Sequence, residues 1–221
     1  MEEAAEPARA AEEAAHHIEI AADQADLTSE EDREQLVEQV LENFGRIDML
    51  VNAAAPPSAA ADLLEMTQPL YQEVMDARLT ATLFLTQLVA NEMVRLVQAG
   101  MIETAKIVTV NSIGAYTTSI DHAPQCLARS ALAMMTRLFA DRLGEYGINV
   151  YEVRAGLLSA GALDTDQEDY DELIEQGLTP IRRWGRPDDV ARAVAAIADD
   201  LLNFSTGEVL NVDGGFHLRR L

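Results

Sequence analysis

The chain has 221 residues, a length typical of one domain, and 48% of them are apolar, which is enough to build a folded core. Its 16 basic residues stand against 38 acidic ones, a formal net charge of −22, which makes nucleic acid a poor partner because phosphates would be repelled. Apolar runs are too short to span a membrane, and the single cysteine, Cys126, excludes an intrachain disulfide and a cysteine-based zinc site. We therefore expect a cytoplasmic protein that binds neither nucleic acid nor a membrane.

The first quarter of the chain predicts an arm, a short strand, a helix and a buried strand. Residues 1–15 are mostly Ala and Glu and predict a flexible or helical arm without a secretory leader, so the folded domain is expected over residues 16–221. The alternating residues 17–21 (HIEIA) predict a strand, and residues 28–31 (TSEE) are typical of a capping box that opens a helix. The apolar run at residues 47–52 predicts a strand that is buried on both faces.

Strands alternate with helices through the rest of the chain. Helices are predicted over residues 68–98, 125–146 and 187–199, and strands over residues 106–111, 148–153 and 208–212. This alternation is typical of a doubly wound parallel sheet with helices on both faces. The sequence therefore predicts one α/β domain.

Five segments carry motifs that appear together in one known family. They are residues 46–55 (RIDMLVNAAA), 106–112 (KIVTVNS), 146–156 (YGINVYEVRAG), 184–190 (WGRPDDV) and 206–215 (TGEVLNVDGG). In this order they resemble the short-chain dehydrogenase/reductase family, most closely its 3-oxoacyl-acyl-carrier-protein reductase-like members. The resemblance implies a Rossmann-like sheet, an NAD(P) cofactor and a Ser…Tyr-x-x-x-Lys active site.

The chain departs from this family at the active site. The resemblance assigns the catalytic positions to Ser112, Gln125 and Arg129, the last two in place of Tyr and Lys, and a structural Asn of the family is replaced by Arg78. A Gln amide has no proton to transfer near neutral pH, and an Arg stays cationic. Each position also has a structural interpretation: Ser112 bonds the following loop, and Gln125 and Arg129, four residues apart on a helix, bond each other or solvent.

The cofactor positions also depart from the family. Those that the resemblance implies are Asp26, Leu27, Asn52, Ala53 and Ala54. Asp26 is equally typical of a turn before a helix, and Asn52 of a side chain that bonds backbone across the sheet. The first glycine of the chain is Gly45, so the glycine turn that holds the pyrophosphate in the family has no counterpart. We therefore expect the binding of NAD or NADP to be absent or very weak, and no metal site is predicted.

In the family the spatial order of the strands is 3-2-1-4-5-6-7. The segment before Gly45 resembles strand 3, and strands 1 and 2 have no counterpart in this chain. An uncovered strand edge invites pairing. We therefore predict that residues 17–21 pair directly with residues 47–52.

Three hypotheses for function follow. The first is a catalytically degenerate family member that serves as a structural or regulatory subunit, in a homo-oligomer or in a hetero-oligomer with a complete paralogue. The second is an NAD(P)-dependent 3-oxoacyl or carbonyl reductase, as the overall resemblance implies. The third is a cofactor-independent enzyme similar to halohydrin dehalogenases or lyases, whose Ser-Tyr-x-x-x-Arg pattern Arg129 matches.

Overall fold

The computed structural model describes residues 19–54, 60–159 and 167–219. The arm predicted over residues 1–15 lies outside these ranges. Within them, four parallel strands form one sheet in chain order. The strands are β1 (Met49–Asn52), β2 (Ala105–Ser112), β3 (Ile148–Ala155) and β4 (Glu208–Val212). The predicted parallel α/β sheet is confirmed.

Helices pack on both faces of this sheet. They are α1 (Glu30–Phe44), α2 (Gln68–Met75), α3 (Ala81–Gln98), α4 (Ala123–Leu143), α5 (Gln167–Glu175) and α6 (Pro187–Ala198). A π-helical turn, Asp76–Thr80, joins α2 to α3, so the helix predicted over residues 68–98 is present with one widened turn. The Ser29 side chain caps α1 by accepting a hydrogen bond from the Asp32 N–H, one residue later than the predicted capping box.

The two central strands carry the core. On one face of the sheet, Ile107 and Val150 pack with buried residues of α3 such as Met93. On the other face, Val108 and Tyr151 pack with Val190 and Ile197 of α6. Neighbouring residues of a strand point to opposite faces, so the apolar residues of β2 and β3 contribute to both layers.

The prediction that residues 17–21 form a strand beside residues 47–52 is wrong for its described part. Residues 19–21 form no strand, and in the described chain β1 is paired with β2 alone. Residues 17 and 18 lie outside the described ranges. Residues 21 and 22 are alanines, which bury little apolar area, so a short parallel edge strand has little to stabilise it there.

The helices are those of a domain packed around its own sheet. Within the described ranges, none combines the length and the apolar character needed to cross a membrane.

Candidate active site

The carboxyl ends of the strands meet at one edge of the sheet. Parallel pairing sets Ser112 opposite Ala155, and Ala155 opposite Val212. Open α/β sheets bind their ligands at this edge, in the crevice outside the strand ends. The edge is therefore the place to look for a site.

Ser112 ends β2 and begins a short 3-10 turn, Ile113–Ala115. Its Oγ accepts a hydrogen bond of 3.2 Å from the Gly114 N–H. An accepting hydroxyl keeps its own proton for donation to another group. The bond to the loop that the structural interpretation expects is thus present, and Ser112 is still able to donate to a ligand.

Helix α4 brings Arg129 to this serine. The Asn111 side-chain amide donates to the Arg129 carbonyl oxygen over 2.9 Å, which fixes α4 against the end of β2. The Arg129 side chain lies on Gly114: a Cβ atom at Gly114 would be 2.8 Å from Arg129 Nη1 and 3.5 Å from Ser112 Oγ. Gln125 lies one turn earlier on α4 and is 3% exposed. The structure therefore brings Ser112 and Arg129 together around one point, and Gln125 is buried in the same helix as Arg129.

Arg78 is a second cation near this point. It lies in the π-helical turn, which packs against α4. Burial lowers the pKa of Arg78, and the positive charge of Arg129 lowers it further. Burial also lowers the pKa of Arg129, with the neighbouring Cys126 opposing the shift. Both guanidinium groups are thus partly desolvated.

A buried ion pair lies behind Asn111. Glu152 has no exposed surface, and it accepts a hydrogen bond of 2.8 Å from the Asn111 side chain. Arg154 donates two hydrogen bonds to the same carboxylate, over 2.8 and 3.0 Å, and its guanidinium lies over the ring of Tyr116. Sequence analysis did not identify this pair, although a glutamate inside the apolar run of β3 was a signal.

The network continues to the end of β4. The Tyr116 hydroxyl donates to Asp213 over 3.0 Å, and the same carboxylate accepts from the Gly215 N–H and from the backbone and ring of His217. Burial raises the pKa of Tyr116, and its hydrogen bond to Asp213 raises it further, so this phenol is a poor acid near neutral pH. Burial raises the pKa of Asp213, but its hydrogen bonds outweigh burial and leave that pKa below 3.8.

A cavity of about 340 Å³ lies beside Asp213 at the same edge of the sheet. Its wall includes Gly156 and Leu157 after β3, Asn211 in β4, and His217. The candidate site therefore has a polar corner at Ser112 and an open space at the ends of β3 and β4.

Some of the positions implied for the cofactor are bonded or packed within the fold, and the others are exposed. Asp26 accepts hydrogen bonds from the backbone and hydroxyl of Thr28, as the interpretation of a turn expects. Leu27 packs against the core, and the Asn52 amide donates to the Thr86 hydroxyl on α3 rather than to backbone across the sheet. In contrast, Ala53 and Ala54 are exposed after the end of β1.

The acidic and histidine side chains of the described residues form no cluster of three or more that would suit a metal ion.

Comparisons with known proteins identify the kind of chain that shares this fold. The family described as enoyl-(acyl carrier protein) reductase matches residues 1–217. The chain is 31% identical over 202 residues to the L-rhamnose 1-dehydrogenase (NAD(P)(+)) of Azotobacter vinelandii, covering 90% of this chain and 74% of that protein. It is 26% identical over 205 residues to the 2-dehydro-3-deoxy-D-gluconate 5-dehydrogenase of Dickeya dadantii, covering 91% of this chain and 77% of that protein.

A solved structure is also similar to this chain. The 3-oxoacyl-acyl-carrier protein reductase from Brucella melitensis, determined in complex with NAD, is 33% identical to this chain. The two superpose with a TM-score of 0.86 over 92% of this chain and 80% of that one.

The hypothesis of a catalytically degenerate structural or regulatory subunit is contradicted by these comparisons. The similar proteins are named as dehydrogenases and reductases, and none of these findings indicates a loss of activity. The error came from treating the changes at Arg78, Gln125 and Arg129, together with the missing glycine turn, as a loss of the whole site. Removing a general acid lowers a rate by about 10²–10⁴ and leaves the other groups of the site in place.

Proposed function

The chain belongs to the short-chain dehydrogenase/reductase family, and we propose that it is an NAD(P)-dependent oxidoreductase that reduces the carbonyl group of a 3-oxoacyl or related substrate. One observation carries the proposal at the level of residues. A hydroxyl that is able to donate, on Ser112, and a cation, on Arg129, lie around one point at the ligand-binding edge of the sheet.

The described residues fit the nicotinamide end of the cofactor. The small residues Ala53 and Ala54 leave the end of β1 open, and Gly156 and Leu157 line the cavity at the end of β3. The described residues contribute no glycine turn for the pyrophosphate, and the first turn of α1 carries Glu30, Glu31 and Asp32, which repel phosphate. We therefore assign residues to the nicotinamide end alone.

A nicotinamide cofactor, when bound, supplies a hydride to the carbonyl carbon. The Ser112 hydroxyl donates a hydrogen bond to the carbonyl oxygen and orients it. As negative charge develops on that oxygen, the Arg129 guanidinium stabilises it in a partly desolvated place, where a fixed charge acts strongly. Neither Gln125 nor Arg129 releases a proton near neutral pH, so water supplies the proton that converts the alkoxide to the alcohol.

We also propose that the chain forms a homo-oligomer through α4. This helix exposes Leu127, Met134 and Leu138, which are seven and four residues apart and so share one helical face. Contiguous apolar surface of this kind marks interaction sites. Light scattering of the purified chain tests this, because a monomer at micromolar concentration would rule it out.

The experiment that tests the reaction follows the absorbance of NADPH or NADH at about 340 nm with an acetoacetyl thioester as substrate. We expect slow turnover, because the general acid is absent, and a further loss of about 10²–10³ in kcat for Ser112→Ala, the size that one oxyanion donor contributes. The matched control is Ser205→Ala, which makes the same change before the amino end of β4, on the opposite edge of the sheet.

Two outcomes would overturn the proposal. One is an absence of turnover with both cofactors at millimolar concentration. The other is turnover that Ser112→Ala and Ser205→Ala leave equally unchanged, because the hydroxyl at the end of β2 would then have no part in the reaction.

A further inference from the structure

A histidine in the wall of the cavity is not used by the reaction proposed above. His217 lies in the turn that follows β4, and its ring Nδ1 is 2.8 and 3.0 Å from the two carboxylate oxygens of Asp213. Gly214 and Gly215, with φ of 65° and 87°, turn the chain back on itself between these two residues. The turn after β4 therefore builds a pair of one carboxylate and one imidazole.

Asp213 holds the imidazole in one orientation. Its carboxylate is 1% exposed and also accepts hydrogen bonds from the Tyr116 hydroxyl and the Gly215 N–H. Burial raises the pKa of Asp213, but these hydrogen bonds outweigh burial and leave that pKa below 3.8. The carboxylate is thus ionised near neutral pH and only accepts, so the ring Nδ1–H of His217 donates to it.

The other ring nitrogen of His217 is open. Within the described ranges no residue bonds Nε2, the side chain is 37% exposed, and the residue lines the cavity. A histidine exchanges protons near neutral pH more readily than other side chains. An imidazole that is fixed through Nδ1 by a buried carboxylate, with Nε2 free, is the arrangement of a general acid or base.

The cavity extends from His217 toward the strand that ends at Ser112. Its wall includes Gly156, which follows Ala155, and Ala155 is the residue opposite Ser112 in the sheet. Neighbouring strands lie about 4.8 Å apart, so this wall is about one strand spacing from the end of β2. The volume of about 340 Å³ has room for several water molecules, which would link His217 to a carbonyl oxygen held at Ser112.

We propose that His217, oriented by Asp213, is the proton donor of this chain and acts through the water of the cavity. In the reduction, the protonated imidazole gives its Nε2 proton to a water molecule, and that water gives a proton to the alkoxide, which becomes the alcohol. The neutral imidazole then takes up a proton from solvent. This inference rests on the proposed carbonyl reduction and names the source of the proton that Gln125 is unable to supply.

The first test compares the reduction of an acetoacetyl thioester by the wild-type chain and by His217→Gln. We expect kcat to fall by about 10- to 100-fold with KM unchanged, less than the largest effects of a general acid because water carries the proton. The matched control is His122→Gln, which removes an exposed histidine at the start of α4.

Chemical rescue separates proton donation from a structural role of the same side chain. His217→Gly leaves a gap beside Asp213, and we expect added imidazole to enter it and to restore part of kcat. Imidazole is expected to leave the wild-type chain and His122→Gln unchanged. Circular dichroism checks that each variant is folded, and His217→Gln keeps the test decisive if His217→Gly is not folded.

Nuclear magnetic resonance of the cofactor-free chain tests the pair without turnover. In protein labelled with ¹⁵N-histidine, the signals of His217 are those that disappear in His217→Gln. We expect the neutral ring to carry its proton on Nδ1, and Asp213→Asn to weaken this preference, because an amide also donates. A proton on Nε2 of the neutral wild-type ring would overturn the proposal.

Failure of this inference is distinguishable from failure of the proposed function. An absence of wild-type turnover would overturn the reductase proposal and, with it, the part of His217 in the reaction. Turnover that His217→Gln leaves unchanged, or a folded His217→Gly chain that imidazole does not restore, would overturn the part of His217 alone. A fall of kcat in His217→Gln but not in His122→Gln, together with rescue of His217→Gly, would support it.

Discussion

Two arginines lie near the carboxyl end of β2, and their surroundings differ. Arg154 is bonded at two points to the buried Glu152 and covered by Tyr116. Arg129 lies beside Gly114 and Ser112 at the end of β2, and burial lowers its pKa. An arginine paired with a buried carboxylate contributes to the fold, whereas an arginine beside a serine hydroxyl at the carboxyl ends of the strands is suited to a ligand.

The largest effect that would test this contrast is the removal of Glu152. We expect Glu152→Ala to lower the free energy of unfolding by about 3–5 kcal/mol, because Arg154 would remain buried without its partner. Urea unfolding followed by circular dichroism measures it. The control is Glu145→Ala, which removes the carboxylate of the exposed pair with Arg142 and is expected to cost about 0–1 kcal/mol.

A second variant separates the charge from the packing at this pair. Replacing both partners, in Glu152→Met with Arg154→Met, is expected to restore most of the loss, since buried pairs are replaceable by apolar residues of similar volume. If Glu152→Ala and Glu145→Ala had equal effects, Arg154 would not be the structural arginine of the comparison.

The contrast between these arginines also shows what sequence analysis can and cannot predict. The strands and helices follow from apolar runs and caps, and Ser112 and Arg129 follow from motif spacing within the resemblance. The pairing of Arg154 with Glu152 is between alternate residues of one strand, and its link to Asn111 depends on the register of β2 with β3. No local pattern specifies that register, so the network was missed.

The strand predicted at residues 17–21, which is absent over the described residues 19–21, failed for a different reason. Alternation alone indicated a strand, but alternation says nothing about how much apolar area the partner strand would cover. Alanines at residues 21 and 22 give such a strand little to bury, and residues 19–21 lie outside the sheet.

An intermediate change in stability is expected at Asp213, the carboxylate that follows β4 and bonds Tyr116. Its carboxylate accepts hydrogen bonds from Tyr116, Gly215 and His217. We expect Asp213→Asn to lower the free energy of unfolding at pH 7 by about 1–3 kcal/mol, because an amide has one acceptor oxygen and turns its NH₂ group toward these donors. Thermal unfolding measures the change, with the exposed Asp23→Asn as the control.

The pH dependence gives this prediction a sign. The folded-state pKa of Asp213 lies below its ordinary value of 3.8, so its contribution to stability is complete above that value. As the pH falls through the folded-state pKa, the carboxylate is protonated and the contribution is lost. The wild-type chain should therefore lose more stability than Asp213→Asn below about pH 4. Parallel curves would show that the hydrogen bonds to this carboxylate contribute nothing.

The smallest change in stability is expected at Gly114, which lies beside Arg129. A Cβ atom there would lie 2.8 Å from Arg129 Nη1, at the far end of a flexible side chain, and 3.1 Å from Arg129 Cδ. We expect Gly114→Ala to change the free energy of unfolding by no more than about 0.5 kcal/mol, and to lower kcat/KM by about 10- to 100-fold, because the guanidinium is displaced from Ser112.

Gly144→Ala is the matched control for this variant, since a Cβ atom at Gly144 would meet nothing within 4 Å. Equal kcat/KM for the two variants would mean that the position of Arg129 is irrelevant to turnover. A loss of kcat/KM at unchanged stability would place Arg129 on the functional side of the comparison, because a structural arginine such as Arg154 is not displaced without a cost to the fold. The two arginines are then distinguished by what each variant leaves intact: Glu152→Ala acts through the fold, and Gly114→Ala acts through the site.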